Sequence, residues 1–402
     1  MPRRRWLRNL ALSAAVALSS TCSRPVRPPD IVILLADDLG WADVGYHATA
    51  HGTVGSAVLR TPEIDALARA GLRLERYRTA PLCTPARAGL LTGRSPLRLG
   101  LLGNIDGADT RSLPLDEELL PAAFARAGYA TAMIGKWHLG HARPEQWPNA
   151  RGFESFFGFH GGWIDYSSHA RNGAADFWRD TRPVQEAGYS TTLFADEAVK
   201  LLSDTGRSKP LLLYVAFNAP HPPVHVPPGA KAEEGQGSPE RRTYALMVAE
   251  LDAAVGRILR AVESGPRARD TIVFFASDNG ADSRYGGSNA PLREGKRAVF
   301  DGGIRAPAVL WSPSRVAVGA SERLVTHLDV LPTLAGLAGV RLEAPRPLDG
   351  RNLWPQLSGT ATDPREPAAF GCEDGAERHY ALVDDRWKLV ETVRSGGSAS
   401  AP

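Results

Sequence analysis

IVILLADDLG, residues 31–40, is an unbroken apolar run that ends in a pair of aspartates. A continuous run, as opposed to an alternating one, is the pattern of a strand covered on both faces. Three further segments repeat the form: ATAMI at 130–134 runs into GKWHLG, LLLYVAF at 211–217 into NAPHPP, and TIVFFA at 271–276 into SDNG. Helical patterns lie between them, at 61–71 (Thr61 as cap, Pro62 at the first position, Gly71 as stop), 116–127, 191–203 and 242–263. Strands alternating with helices at this spacing predict an α/β fold, a large mostly parallel sheet flanked by helices. Ligands of open parallel sheets sit at the carboxyl ends of the strands. Four strands would thus carry Asp37 and Asp38, Lys136 and His138, His221, and Asp278 and Asn279 to one edge.

Outward from this centre, the chain of 402 residues carries a formal charge of +3, too small a bias to imply a nucleic acid or an anionic membrane as partner. Arginine dominates the cations; lysine occurs only at 136, 200, 209, 231, 296 and 388, so a lysine inside a motif is informative. The N-terminal residues 1–27 read as an export signal and linker, with Arg3, Arg4, Arg5 and Arg8 before the short apolar run Leu10–Leu18. The paired arginines suggest a twin-arginine signal and Cys22 is a candidate lipid-attachment site, so the expected location is periplasmic or secreted. No segment has the length and apolarity of a transmembrane span. From about residue 345 the composition shifts, and HYALVDDRWKLVETV reads as a hairpin with Asp384 and Asp385 at its turn. The expected organisation is a catalytic domain over 28–344 and a small antiparallel C-terminal subdomain over 345–402 with a disordered tail.

The cysteines are Cys22, Cys83 and Cys372. Cys83 and Cys372 could pair, but no disulfide needs the Pro85 and Arg87 that follow Cys83. In PLCTPARAGLLTGR, residues 81–94, Thr84 fits a helix cap and Pro85 the first helical position, which places Cys83 just outside a helix N-terminus, where negative charge is favoured. Arg87 falls one turn on, able to face the same anion. In GYATAMIGKWHLG, residues 128–140, Lys136 and His138 would point the same way if the strand continued extended.

CTPAR at 83–87 and GYATAMIGKWH at 128–138 together resemble the two signatures of the formylglycine-dependent, arylsulfatase-like sulfatases of the alkaline phosphatase superfamily. ADDLGWADVG, TPEIDALARAG, NAPHPP, SDNG and GKRAVFDGGIRAP match further blocks of that family in the same order, from about Asp30 to Pro307 and weakly to Val390. The resemblance implies an alkaline phosphatase-like fold and hydrolysis of aryl or carbohydrate sulfate esters. It implies that a formylglycine-generating enzyme converts Cys83 to 3-oxoalanine (formylglycine), whose hydrate attacks sulfur with one hydroxyl and expels sulfate with the other. It implies a Ca²⁺ ion, with Mg²⁺ as the other candidate, held by Asp37, Asp38, Asp278, Asn279 and residue 83; such an oxygen-rich set suits a hard cation. Arg87, Lys136 and Lys296 would neutralise the sulfate, His138 would hold the diol and take its proton, and His221 would protonate the departing alcohol. Trp163, Tyr166, His169 and the loop 225–241 are the expected substrate rim. Two other readings are a phosphoester hydrolase on the same frame, for which the extra histidines of a dinuclear zinc site are lacking, and a noncatalytic binder of sulfated glycans. The matched C-terminal region is shorter than is usual in the family.

Overall fold

The computed structural model describes residues 27–47, 59–231, 237–343 and 345–394. The leader expected over the first 27 residues, with Cys22, therefore lies almost wholly outside the described residues.

All four apolar runs are strands: β1 (Asp30–Ala36), β3 (Ala130–Lys136), β7 (Leu211–Ala216) and β8 (Thr271–Ser277). The remaining strands of their sheet are β2 (Leu72–Leu74), β4 (Ser155–Phe159), β5 (Trp178–Arg179), β6 (Arg182–Pro183), β9 (Ala308–Trp311) and β10 (Gly319–Ser321). The ten strands run in the order β10-β2-β9-β8-β1-β7-β3-β4-β5-β6. The centre, β8-β1-β7-β3-β4, is parallel throughout, while β9, β5 and β6 are antiparallel additions towards the edges. The α/β expectation holds, and the strands it found are the ones buried on both sides.

That burial is visible residue by residue along β1. Val32, Leu34 and Ala36 join a core with α1 (Pro62–Ala70), α4 (Ser190–Leu202) and α5 (Pro239–Ser264), through Leu67, Phe194 and Leu251. Ile31, Ile33 and Leu35 face the opposite core, built with α2 (Cys83–Thr92), α3 (Leu120–Arg126) and α6 (Val330–Ala338), through Leu91, Phe124 and Leu334. Alternation is thus present but both faces are apolar, which is why the sequence shows a run. The third helix is shorter than the 116–127 read from the sequence. Its first turn holds Pro121, and Asp116 and Glu117 instead pair with Arg346.

α2 decides the site. Every one of its residues is buried, and Gly89 lets it lie against the segment after β10, where a Cβ would meet the His327 ring at 2.4 Å. It begins at Cys83 itself, with Leu82 as the cap residue, so Cys83 is the first helical residue and Pro85 the third. Thr84 does not cap; its hydroxyl donates to the His138 carbonyl at 3.0 Å and accepts from the Ile105 N–H at 3.2 Å, tying the helix to two loops. A proline is tolerated in that first turn because its N–H would have no helical acceptor there.

The C-terminal region forms its own antiparallel sheet, β11 (Ala368–Asp374), β12 (Glu377–Val383) and β13 (Lys388–Arg394), in that order. The expected hairpin is β12-β13; β11 is a third strand that the sequence reading did not include. Phe370, Cys372, Ala381 and Val383 pack it against Leu82, Val299 and Ile304, directly beside the start of α2. Cys83 and Cys372 are both free, and the Cys372 thiol donates to the Arg297 carbonyl at 3.0 Å, so the pairing open at the sequence level is not made.

Candidate active site

The register of the central strands aligns the ends from which the site grows. Ala36 pairs with Ser277, Leu35 with Ala216, and Ala216 with Gly135, so Asp37, Asp278, Phe217 and Lys136 emerge at one level. Asp38 then takes a left-handed conformation at φ 65° and turns its carboxylate back towards β8. His138 does the same at φ 59° after β3. The extended continuation expected for Lys136 and His138 is therefore broken: the end of β3 delivers Lys136, and the reversed backbone, not strand alternation, brings His138 to the site.

All ten site residues named from the sequence converge. The Lys136 ammonium lies 2.6 Å from Asp37 Oδ2, and the Lys296 ammonium 2.7 Å from both oxygens of Asp38. Arg87 donates twice to Asp278 Oδ2, from Nε at 3.1 Å and Nη2 at 2.7 Å, and from Nη1 to the Lys136 carbonyl at 2.9 Å. The Cys83 thiol lies 3.4 Å from Asp37 Oδ1, and Arg87 Nη2 reaches the same oxygen at 3.6 Å, so the one-turn spacing does put both on one target. Asn279 donates to Asp38 Oδ1 at 2.6 Å, and Lys296 to the Cys83 sulfur at 3.4 Å. Three carboxylates, Asp37, Asp38 and Asp278, are thus balanced by three cations, Arg87, Lys136 and Lys296, all with their side chains almost completely buried.

Burial and these partners set the protonation states. Burial alone would raise the Asp38 carboxyl, but Lys296, His221 and Lys136 outweigh it and hold it well below the usual range. Asp278 is pushed up to about 6, first by burial and then by the Asp37 charge, against the pull of Arg87 and Lys136. The Cys83 thiol is raised far above an ordinary thiol by burial and by Asp278. It is therefore a neutral thiol, a poor nucleophile in its own right. His138 is held neutral by burial and by Lys136 and Arg87. Its Nε2 lies 3.1 Å from the Ile105 carbonyl, which can only accept, so the proton is on Nε2 and the buried Nδ1 carries a lone pair with no partner. His221 is lowered to about 3 by burial and by Lys296 and Lys136. Its Nδ1 donates to the Pro222 carbonyl, leaving Nε2 facing Asp38 Oδ2 at 3.8 Å.

The residues fit a hard divalent cation. Donor atoms of Asp37, Asp38, Cys83 and His221 all lie within 4.8 Å of one another. Asn279 Oδ1 is buried with no hydrogen-bond partner although its amide nitrogen makes two bonds, the state of an acceptor left over for an ion. Asp278 is more committed, with Oδ2 on Arg87 and Oδ1 accepting from the Asp38 N–H at 3.2 Å.

A cavity of about 610 Å³ opens over these groups, lined by His138, His221 and Lys296 and, further out, by Asp106, Trp163, Arg171, Tyr285 and Arg297. Of the rim expected from the sequence, Trp163 is there. Tyr166 is fully buried and its hydroxyl lies 2.6 Å from the Asn218 carbonyl and 2.7 Å from that of His221, so it braces the loop carrying His221. His169 is buried too, stacked on Phe177, with Nε2 3.0 Å from the Gly188 carbonyl. Residues 232–236 of the third rim segment lie outside the described residues. Asp106, Arg171, Tyr285 and Arg297 were missed. Arg297 directly follows Lys296, and its position beside a motif lysine was the available signal; the others stand in stretches with no pattern of their own.

A protein-family model described as Sulfatase matches residues 29–340. The chain is 34% identical to arylsulfatase J of Mus musculus over 349 residues, covering 84% of this chain and 57% of that protein. It is 35% identical to N-acetylgalactosamine-6-sulfatase of Homo sapiens over 360 residues, covering 82% of this chain and 66% of that protein. The chain spans less than two thirds of the length of either relative. The crystal structure of Ps i-CgsB in complex with k-i-k-neocarrahexaose superposes with a TM-score of 0.82 at 30% identity, covering 91% of this chain and 84% of the other.

Proposed function

The chain belongs to the sulfatase family, and on that premise we propose that it hydrolyses aryl or carbohydrate sulfate esters to an alcohol and inorganic sulfate. One observation carries the reading: a buried, neutral Cys83 stands at the first turn of a fully buried helix, in contact with Asp37 and Lys296 and one turn from Arg87. Such a thiol suits a precursor. Conversion by a formylglycine-generating enzyme would place an aldehyde, and on hydration hydroxyl groups, where the sulfur now sits. Ca²⁺ or Mg²⁺ would be held by Asp37, Asp38, Asn279 and Asp278 with residue 83, and when bound it supplies positive charge that acidifies a neighbouring hydroxyl and polarises sulfate oxygens.

The chain's own groups do the rest. With three acids offset by three bases, a divalent ion leaves the pocket with a net positive charge, which draws in a sulfate ester. Lys136, Lys296 and Arg87 are the cations placed to share the sulfate oxygens, and because they are already fixed by Asp37, Asp38 and Asp278 they need little reorganisation as charge develops. His138, neutral and with the Nδ1 lone pair free, is the group to accept a hydroxyl proton from residue 83. His221 lines the open side of the cavity, where the alcohol departs, and Asp38 beside it supports the protonated form that donation requires. Its resting preference for neutrality means that the bound anion must help to charge it.

All the assigned residues fall within 28–344, which we take as the catalytic domain, with 345–402 as a small subdomain whose strands β11 and β12 buttress the start of α2. Among the described residues no helix is long and apolar enough to cross a membrane, and the arginine-led leader supports export. The test is sulfate release from 4-nitrophenyl sulfate by protein co-expressed with a formylglycine-generating enzyme, with Cys83→Ala as control. Release that survives in the control, or preference for the matched phosphate ester, would overturn the reading.

A further inference from the structure

Three basic side chains line the cavity above Cys83: Lys296, Arg297 and Arg171. Lys296 is held by Asp38 at 2.7 Å and Arg297 by Asp282 at 2.9 Å. The Arg171 side chain makes no hydrogen bond or ion pair with any described residue, although its backbone is fixed in a two-stranded ladder, Ala170 against Ala175 and Arg171 against Ala174. A guanidinium placed by regular backbone yet left without a partner has its donors available to a ligand.

Two glycines make room for it. A Cβ on Gly161 would come within 2.8 Å of the Arg171 guanidinium carbon and Nη1, and one on Gly107 within 3.6 Å of the same atoms. Gly161 is not in the left-handed region, so its backbone does not call for glycine; the space shared by the Arg171 guanidinium and the Asp176 carboxylate, which lies 2.9 Å from the same Cβ, does. Asp176, the acid nearest to Gly161, is taken up by the N–H groups of His160 and Gly161 and by the Trp178 indole, and does not pair with Arg171. Of the acids on the cavity wall, Asp282 is held between Arg284 and Arg297, and Asp106 is exposed and suited to a sugar hydroxyl. Trp163 and Tyr285 on the same wall offer ring faces to a saccharide.

We propose that Arg171 is a specificity-determining residue that grips a second oxyanion of the substrate, a sulfate or a carboxylate, while the Lys136–Lys296–Arg87 group takes the sulfate to be cleaved. The preferred substrate is then a saccharide with two acidic substituents. This rests on the sulfatase reading for the identity of the first anion, and on the unpaired guanidinium for the second. A planar, bidentate donor is what a sulfate or carboxylate calls for, and a charge-assisted pair of this kind contributes about 1.5–3 kcal/mol, which corresponds to roughly 10- to 150-fold in affinity.

The experiment compares N-acetylgalactosamine 6-sulfate, N-acetylgalactosamine 4,6-disulfate and the 6-sulfated disaccharide bearing glucuronate. Binding to the Cys83→Ala protein is measured by calorimetry, and turnover of the same three by the converted enzyme. The proposal expects at least one doubly charged ligand to bind at least about 10-fold tighter than the monosulfate. That advantage should vanish in Arg171→Gln and shrink in Gly161→Ala, and Arg171→Lys should restore part of it. Which doubly charged ligand gains tells whether the second group is sulfate or carboxylate. Equal affinity for all three, or an advantage that persists in Arg171→Gln protein with native melting behaviour, overturns it. Absence of sulfate release with an Arg171-dependent binding advantage would instead refute the hydrolase reading and leave this one standing.

Discussion

Arg87→Ala is the substitution whose consequence follows most directly from the buried charge cluster. The guanidinium has no solvent exposure and gives Asp278 two hydrogen bonds, at 2.7 and 3.1 Å, with a third to the Lys136 carbonyl. Removing one member of a buried pair strands the other and costs about 3–5 kcal/mol. With an unfolding entropy of about 2.1 cal/mol/K per residue, a chain of this size loses about 4–6 °C of melting temperature. The loss should depend on pH. Asp278 is already pushed up to about 6 with Arg87 present; without it the folded-state value rises further above the unfolded one. A carboxyl whose folded pKa is raised loses stability as pH rises towards that value, so the deficit should be larger at pH 8 than at pH 6. Arg87→Lys keeps a charge but not the fork and should fall between. The assay is thermal unfolding of native and variant chains in chelator at both pH values. Melting within about 1 °C of native throughout, on the same scale of degrees per kcal/mol, or a deficit larger at pH 6, would refute the reasoning.

Other perturbations test other parts of the structure. His327, buried beneath Gly89 of α2, is lowered to about 3 by burial, so the unfolded chain takes up a proton below about pH 6.5 that the fold refuses. The native protein should lose about 1.4 kcal/mol per pH unit from this group between those values, and urea titrations of His327→Gln should lack that increment. A Cβ at Gly280 would sit 1.7 Å from the Gly302 carbonyl oxygen; backbone must move, so Gly280→Ala should displace Asn279 and reduce sulfate release by about 100-fold or more, the cost of small misplacements at a reacting centre. Calcium at about 100 times its dissociation constant should add about 2.7 kcal/mol to the stability of the native chain. In Asn279→Ala, which loses the unpartnered Oδ1, scanning calorimetry should find that increment diminished at the same calcium concentration.

The sequence was most legible where burial is two-sided. β1, β3, β7 and β8 read as apolar runs because helices cover both faces, and the polar residues that break those runs are the site. Edge elements left weaker traces: β5 and β6 have two residues each, and no periodicity survives at that length. Tyr166 was misplaced on the rim because its hydrogen-bond partners, the carbonyls of Asn218 and His221, lie 52 and 55 residues away. Local pattern cannot reveal such a brace. The reach of His138 was right for the wrong reason, since a left-handed residue rather than strand geometry delivers it. Arg171 illustrates the converse case. Nothing in its neighbours marks it, and only the space left by Gly161 and the absence of a partner among the described residues distinguish it from the many other arginines.

Hydrolysis by this site depends on what residue 83 becomes. The most direct measurement is the mass of the peptide containing residue 83, from protein made with and without a formylglycine-generating enzyme, alongside sulfate release from the same two samples. With the enzyme present the side chain should have lost H₂S and gained one oxygen, and only this sample should release sulfate. An intact thiol in a sample that hydrolyses sulfate esters would contradict that dependence.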